Sequence, residues 1–66
     1  MMIELTKPLR LYRREGSRIT PAENLEEGTQ VSLGKEEVDS YIQIFRQGDE
    51  GFLLQADLSE AYTKAE

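Results

Sequence analysis

Apolar residues recur at every second position in two separate stretches of this chain. That spacing leaves little room for anything but a small antiparallel β fold. Ile3, Leu5, Leu9 and Leu11 hold odd positions, while Glu4, Thr6, Arg10 and Tyr12 hold the even ones. Side chains alternate across a strand with period two, so this is the pattern of a strand with one buried face. Pro8 lacks the N–H that a ladder needs, and Lys7 interrupts the apolar face at the same place. The segment is therefore expected as two short strand pieces or a bulged edge strand. The second stretch is Tyr41-Ile42-Gln43-Ile44-Phe45-Arg46, rich in β-branched and aromatic residues. Ile42 and Ile44 face one side; Tyr41, Gln43 and Phe45 face the other.

Turn residues punctuate the rest. Residues 13–24 read as a long polar loop, with Glu15-Gly16-Ser17 as a turn signal and Ile19 as its apolar anchor. Leu25, Val31 and Leu33 share one parity across a turn at Gly28, which predicts a strand over 30–33. Gly34 to Asp39 reads as an acidic turn. Gln47-Gly48-Asp49-Glu50-Gly51 reads as a tight hairpin connection into a returning strand, Gly51 to Gln55. Asp57 followed by Glu60 fits a helix-capping box, so one or two helical turns are expected over residues 57–66. Those turns must dock or fray, because so short a helix is marginal alone.

Size sharpens the constraint. A chain of 66 residues without cysteine or histidine makes one small domain, residues 1–66, with no disulfide and no Cys/His zinc site to support it. A closed barrel or a homo-oligomer would supply the missing margin. The same composition excludes Ser-His, Cys-His and other histidine-based acid–base chemistry. No apolar run approaches the roughly 18 residues that span a bilayer. The opening Met-Met-Ile-Glu-Leu-Thr-Lys-Pro lacks the charged-then-apolar order of a signal peptide. A cytoplasmic product, or else a mature fragment whose signal was removed, with no membrane contact is therefore expected.

The order of strand, long polar loop, strand, acidic turn, strand, tight turn, strand and terminal turn is that of an SH3-like barrel. The middle of the chain resembles the bacterial SH3 (SH3b) family over about residues 9–58. The residues that carry the resemblance are Leu25, Glu26, Glu27, Gly28, Thr29 and Val31, then Tyr41 to Phe45, then Gly51-Phe52-Leu53. Leu9-Leu11-Tyr12 stands as the first strand. Arg10-Leu11-Tyr12-Arg13 takes the place of the family's Asn-x-Arg stretch, and Tyr41 and Phe52 stand where Trp is common. The resemblance implies a mainly β, five-stranded barrel with a short C-terminal helical turn.

Charge is unevenly placed. Residues 1–20 carry five bases and two acids, and residues 21–66 carry three bases and eleven acids, so a +3 stretch precedes a −8 body. Arg10, Arg13, Arg14 and Arg18 are the basic cluster. It is read first as a counter-charge to the acidic turns, and second as a contact for an acidic protein. An acidic chain opposes general nucleic-acid binding. The carboxylates in the turns lack the spacing of a Ca²⁺ loop, so no metal or other cofactor is expected.

Aromatics beside arginine are the usual material of interface hot spots. Tyr12, Arg13, Arg14, Tyr41 and Phe45 are accordingly the candidate partner-binding residues. Tyr12, Arg13, Arg14 and Tyr41 would line a groove between the long first loop and the acidic turn. The function expected is non-catalytic: a protein-binding module or an assembly subunit, self-association included. The alternative is a small acidic inhibitor that imitates nucleic acid and blocks a DNA- or RNA-binding partner.

Overall fold

A computed structural model describes residues 1–65. Among these, strands dominate and all pair antiparallel in one sheet. In chain order they are β1 (Met2–Leu5), β2 (Leu9–Glu15), β3 (Arg18–Leu25), β4 (Gln30–Val38), β5 (Tyr41–Arg46), β6 (Asp49–Leu54) and β7 (Tyr62–Lys64). One helical turn, α1 (Gln55–Leu58), precedes β7. The sheet order is β3-β2-β6-β5-β4-β1-β7. The expected architecture had five strands closed into a barrel. Among the described residues there are seven strands, and β3 and β7 end the sheet without pairing with each other.

The two added strands come from segments read as irregular. Residues 13–24 form the arms of the β2–β3 hairpin, with Glu15 opposite Arg18. Gly16 takes a φ of 62° in its two-residue turn, and a glycine first is the pattern of type II′. At the other end, Tyr62–Lys64 pairs with β1 instead of continuing a helix. Asp57 lies inside α1, and the helix has no side-chain cap, so the capping box does not form. A lone helical turn gains less than a strand on the free edge of β1. Glu66, the last residue of that stretch, lies outside the described residues.

Pro8 breaks the first segment as its chemistry requires, separating β1 from β2. Gly28, at φ 90°, sits third in the Glu26–Thr29 turn, where the Thr29 amide donates to the Glu26 carbonyl at 3.1 Å. That position demands positive φ in a type II turn.

Two bulges curl the sheet. In β3, Leu11 faces Glu23 and Tyr12 faces Pro21, leaving Ala22 unpaired. In β4, Leu33 faces Ile44 and Glu37 faces Ile42, so Gly34, Lys35 and Glu36 stand against Gln43 alone. The expected acidic turn is thus a bulged continuation of the strand, and the true turn is Asp39-Ser40. Extra residues on one strand bend it and increase its twist. A Cβ on Gly34 would overlap the Gln43 side chain, which explains a glycine there.

The curl wraps one face around the core. Ile3, Leu5, Leu11, Leu25, Val31, Ile44, Leu53 and Leu58 form it, with Leu9, Leu33 and Ile42 packed alongside. The odd-numbered leucines and isoleucine of the first segment all lie in or against this cluster, as their parity requires. The β5–β6 turn is Gln47-Gly48, since Arg46 pairs with Asp49. Gly51 therefore belongs to β6 and not to the turn. It faces the core, where an added Cβ would stand 2.5 Å from Leu11 Cδ1.

Two stability outcomes follow from this packing. Gly51→Ala should lower unfolding stability by about 1–3 kcal/mol through overpacking against Leu11. Gln47, at φ 54°, adopts a conformation that costs a non-glycine residue about 1 kcal/mol. Gln47→Asn should recover about 0.5 kcal/mol, because asparagine tolerates that conformation better. Urea denaturation of the three proteins checks both shifts.

Candidate functional site

Directly paired residues of antiparallel strands share a face. Tyr12 opposite Phe52, and Phe52 opposite Gln43, therefore place these side chains on the outer face, away from the core. Arg14 and Tyr41 share it through strand alternation. Phe52 is fully buried even so. It stands apart from the main core cluster, under side chains of its own face. Arg14 lays its guanidinium over the ring, with Cζ 5.1 Å from the centroid. Tyr12 and Tyr41 meet edge to face beside it, with centroids 4.9 Å apart and planes at 61°. Such offset aromatic geometry is favourable beyond the buried area itself.

The polar rim is self-contained. Arg14 Nη2 pairs with Glu36 at 2.8 Å and with Glu50 at 3.5 Å. Gln43 Nε2 donates to Glu50 Oε2 at 2.7 Å. Gln43 Oε1 accepts from the Glu36 backbone N–H at 3.4 Å. Gln43 thus ties the β4 bulge to the carboxylate that faces Arg14. The bulge itself presents Glu36 to Arg14, a role that its position in an expected turn did not reveal.

The candidate residues divide into three groups. Tyr12, Arg14 and Tyr41 come together over Phe52. Arg13 alternates to the other face of β2, donates to the Glu50 carbonyl at 3.4 Å, and approaches Glu23 at 4.0 Å. Arg46 also pairs with Glu23. Phe45 lies on the outer face but beyond the tyrosines, opposite Glu50 on β6 and Ser32 on β4. It is 37% exposed. Ser32 in turn lies opposite Met2, to whose sulfur its hydroxyl donates at 3.9 Å. Phe45, Ser32 and Met2 therefore form a row across three strands, separate from the aromatic pair.

Phe52, Gln43, Glu36 and Glu50 complete the site, though none of them was among the partner-binding candidates. Parity placed Phe52 opposite Gly51 and Leu53 in direction. Nothing in the spacing showed that the outward position would be covered. Of the basic cluster, Arg13 and Arg14 pair with the chain's own glutamates. Arg10 and Arg18 make no ion pair among the described residues.

Beside this platform, Arg14, Gly16, Ser17, Ile19 and Val38 line a cleft of about 80 Å³. Small-molecule sites run to roughly 300–1,000 Å³, so the cleft suits a side chain and not a cofactor. Among the described residues, no three potential metal-ligating side chains converge. No helix there is long and apolar enough to cross a membrane. Comparison with family models, curated proteins and solved structures finds no match for this chain.

Arg14→Gln should lower stability by about 1 kcal/mol, by removing a cation over an aromatic face and two half-exposed ion pairs. The difference from wild type should shrink as salt is raised, since the ion pairs are screened. Thermal or urea unfolding at two ionic strengths checks both.

Proposed function

We propose that this chain is a non-catalytic protein-binding module built on an SH3-like scaffold. The order β7-β1-β4-β5-β6 contains five strands consecutively, and the β2–β3 hairpin stands where an SH3-like barrel has its long first loop. The α1 turn precedes the last strand. These features support the reading, as do the Gly28 turn and the Gly51-Phe52-Leu53 strand that carry the resemblance to the bacterial SH3 family. The absence of histidine and cysteine from the sequence favours binding over catalysis.

The observation that carries the proposal is the half-buried Tyr12–Tyr41 pair beside Arg14, above a buried Phe52. Tyrosine and arginine held rigidly on a sheet offer apolar area, donors and little entropy to lose on binding. The adjoining cleft between the hairpin tip and Val38 adds a place for one side chain. The partner is a protein segment that covers the tyrosines and exchanges hydrogen bonds at the rim.

A second reading, self-assembly, has its own support in the exposed Phe45–Ser32–Met2 row. Imitation of nucleic acid is weakened by the geometry. Glu23, Glu36 and Glu50 are all engaged by arginines, so they offer less free charge to a basic partner.

The test is retrieval of partners from source-cell lysate by the immobilised chain, washed at low and at about 0.5 M salt. A protein retained at both, and bound roughly 30-fold more weakly by folded Tyr41→Ala, is the expected result. Retention unchanged by Tyr41→Ala and Tyr12→Ala would overturn it. Recovery of the chain alone, sensitive to Phe45→Ser, would establish assembly instead.

A further inference from the structure

The curled sheet leaves a second opening on its core-facing side. Leu33 of β4, Ile42 of β5, Leu58 of α1 and Tyr62 of β7 line a groove of about 230 Å³ there, with Gln55 and Ser59. Leu33 and Ile42 pack against the core but stay partly open, and Tyr62 is 43% exposed. The two polar lining groups already have partners within the chain. Gln55 Nε2 donates to Glu37 Oε1 at 3.2 Å, and Ser59 Oγ donates to the Ala56 carbonyl at 2.9 Å. The floor of the groove therefore calls for an apolar occupant. Its volume is below the range of small-molecule sites and suits one or two side chains.

Charge at the rim says what should flank that occupant. Adjacent glutamates of β4 have opposite fates. Glu36 turns to the outer face and pairs with Arg14. Glu37, opposite Ile42, is held at the groove by Gln55 and meets no cation among the described residues. Asp57 and Glu60 flank Leu58 and Ser59, also without ion pairs there. Lys35 and Lys64 are the bases nearest in sequence, each two residues from a lining residue, and neither pairs with these carboxylates.

We propose that this groove docks a peptide segment with one large aliphatic side chain beside a lysine or arginine. The aliphatic group fills the space between Leu33, Ile42, Leu58 and Tyr62. The cation meets Glu37, with Asp57 and Glu60 adding attraction of the same sign. Removal of apolar surface from water supplies the affinity, and the fixed carboxylate supplies orientation and selectivity against acidic segments. This site is independent of the Tyr12–Tyr41 platform, so one chain can hold two segments on opposite sides of its sheet.

The experiment is a titration of the full ¹⁵N-labelled chain with a short capped peptide carrying a leucine flanked by lysines. Amide shifts confined to the neighbourhood of Ile42, Gln55, Ser59 and Tyr62 are expected. Replacing the peptide leucine by alanine should weaken binding at least about fivefold. Glu37→Gln in the protein should weaken it about two- to fivefold and reduce its salt dependence, with the fold intact because glutamine still accepts from Gln55. Tyr62→Ser, at an exposed edge, should weaken it without touching Glu37. Absent shifts, shifts at Tyr12 and Tyr41 instead, equal binding of a glutamate-flanked peptide, or indifference to the leucine would each overturn the proposal. Self-association of the free chain through this groove would overturn it too, by making a second copy the occupant.

Discussion

The seating of Leu11 against the bare Cα of Gly51 is the contact on which the rest of this structure depends. It joins the β2–β3 hairpin to the β4–β6 meander on the core side, and one residue further along each strand Tyr12 meets Phe52 on the outer side. β6 lies third in the sheet order, with the hairpin on one flank and the β5-β4-β1-β7 run on the other. A side chain at position 51 would press on Leu11, and through it on the strand that also carries Tyr12 opposite Phe52. Close packing makes such a junction sensitive to a single methyl group.

The junction also explains why a chain of this size has apolar contacts on both sides of its sheet. A small domain buries a modest fraction of its surface, so a one-sided core leaves a thin margin. Covering Phe52 with Tyr12, Tyr41, Arg14 and Gln43 creates a second buried centre without adding chain length. Arg14, laid over the ring, has its charge met by Glu36 and Glu50, while Arg13 and Arg46 meet Glu23 away from that cover. Two of the five bases in the N-terminal stretch, Arg13 and Arg14, thus meet carboxylates of the acidic body. What remains unneutralised is concentrated elsewhere, at the turns and around the groove beside α1.

Local chemistry was legible where it acts through neighbouring residues. Pro8 splitting the first strand, Gly28 and Gly16 at their turns, and the parity of Ile42 and Ile44 against Tyr41 and Phe45 all follow from covalent geometry and strand period. Strand identity was less legible where polar residues dominate. Residues 18–24 carry Pro21, Glu23 and Asn24 and lie mostly exposed, so no apolar alternation marked them as a strand. Their ladder partner, β2, decides the matter. Asp57 and Glu60 spelled a capping box, yet the free edge of β1 took Tyr62–Lys64 into the sheet. The β4 bulge was hidden for a similar reason: Gly34-Lys35-Glu36-Glu37 has the composition of a turn, and only the facing Gln43 reveals that the strand runs on.

The sequence by itself determined a mainly β chain with its inward residues, its glycine turns at Gly16, Gly28 and Gly48 and its lack of metal-thiolate or histidine chemistry, because those depend on residue type and on spacing within a few positions. It also put Tyr12, Arg14 and Tyr41 among the residues to watch. Tertiary structure alone decided that these three converge over Phe52, that Arg13 turns away, that Phe45 joins Met2 instead, and that Glu36 and Glu37 face opposite sides. Each of these depends on strand order and on bulges, which are set by contacts between residues distant in sequence. A one-residue change in register sends every later side chain to the other face. Periodicity therefore specifies which residues can share a face, while pairing specifies which neighbours they meet there.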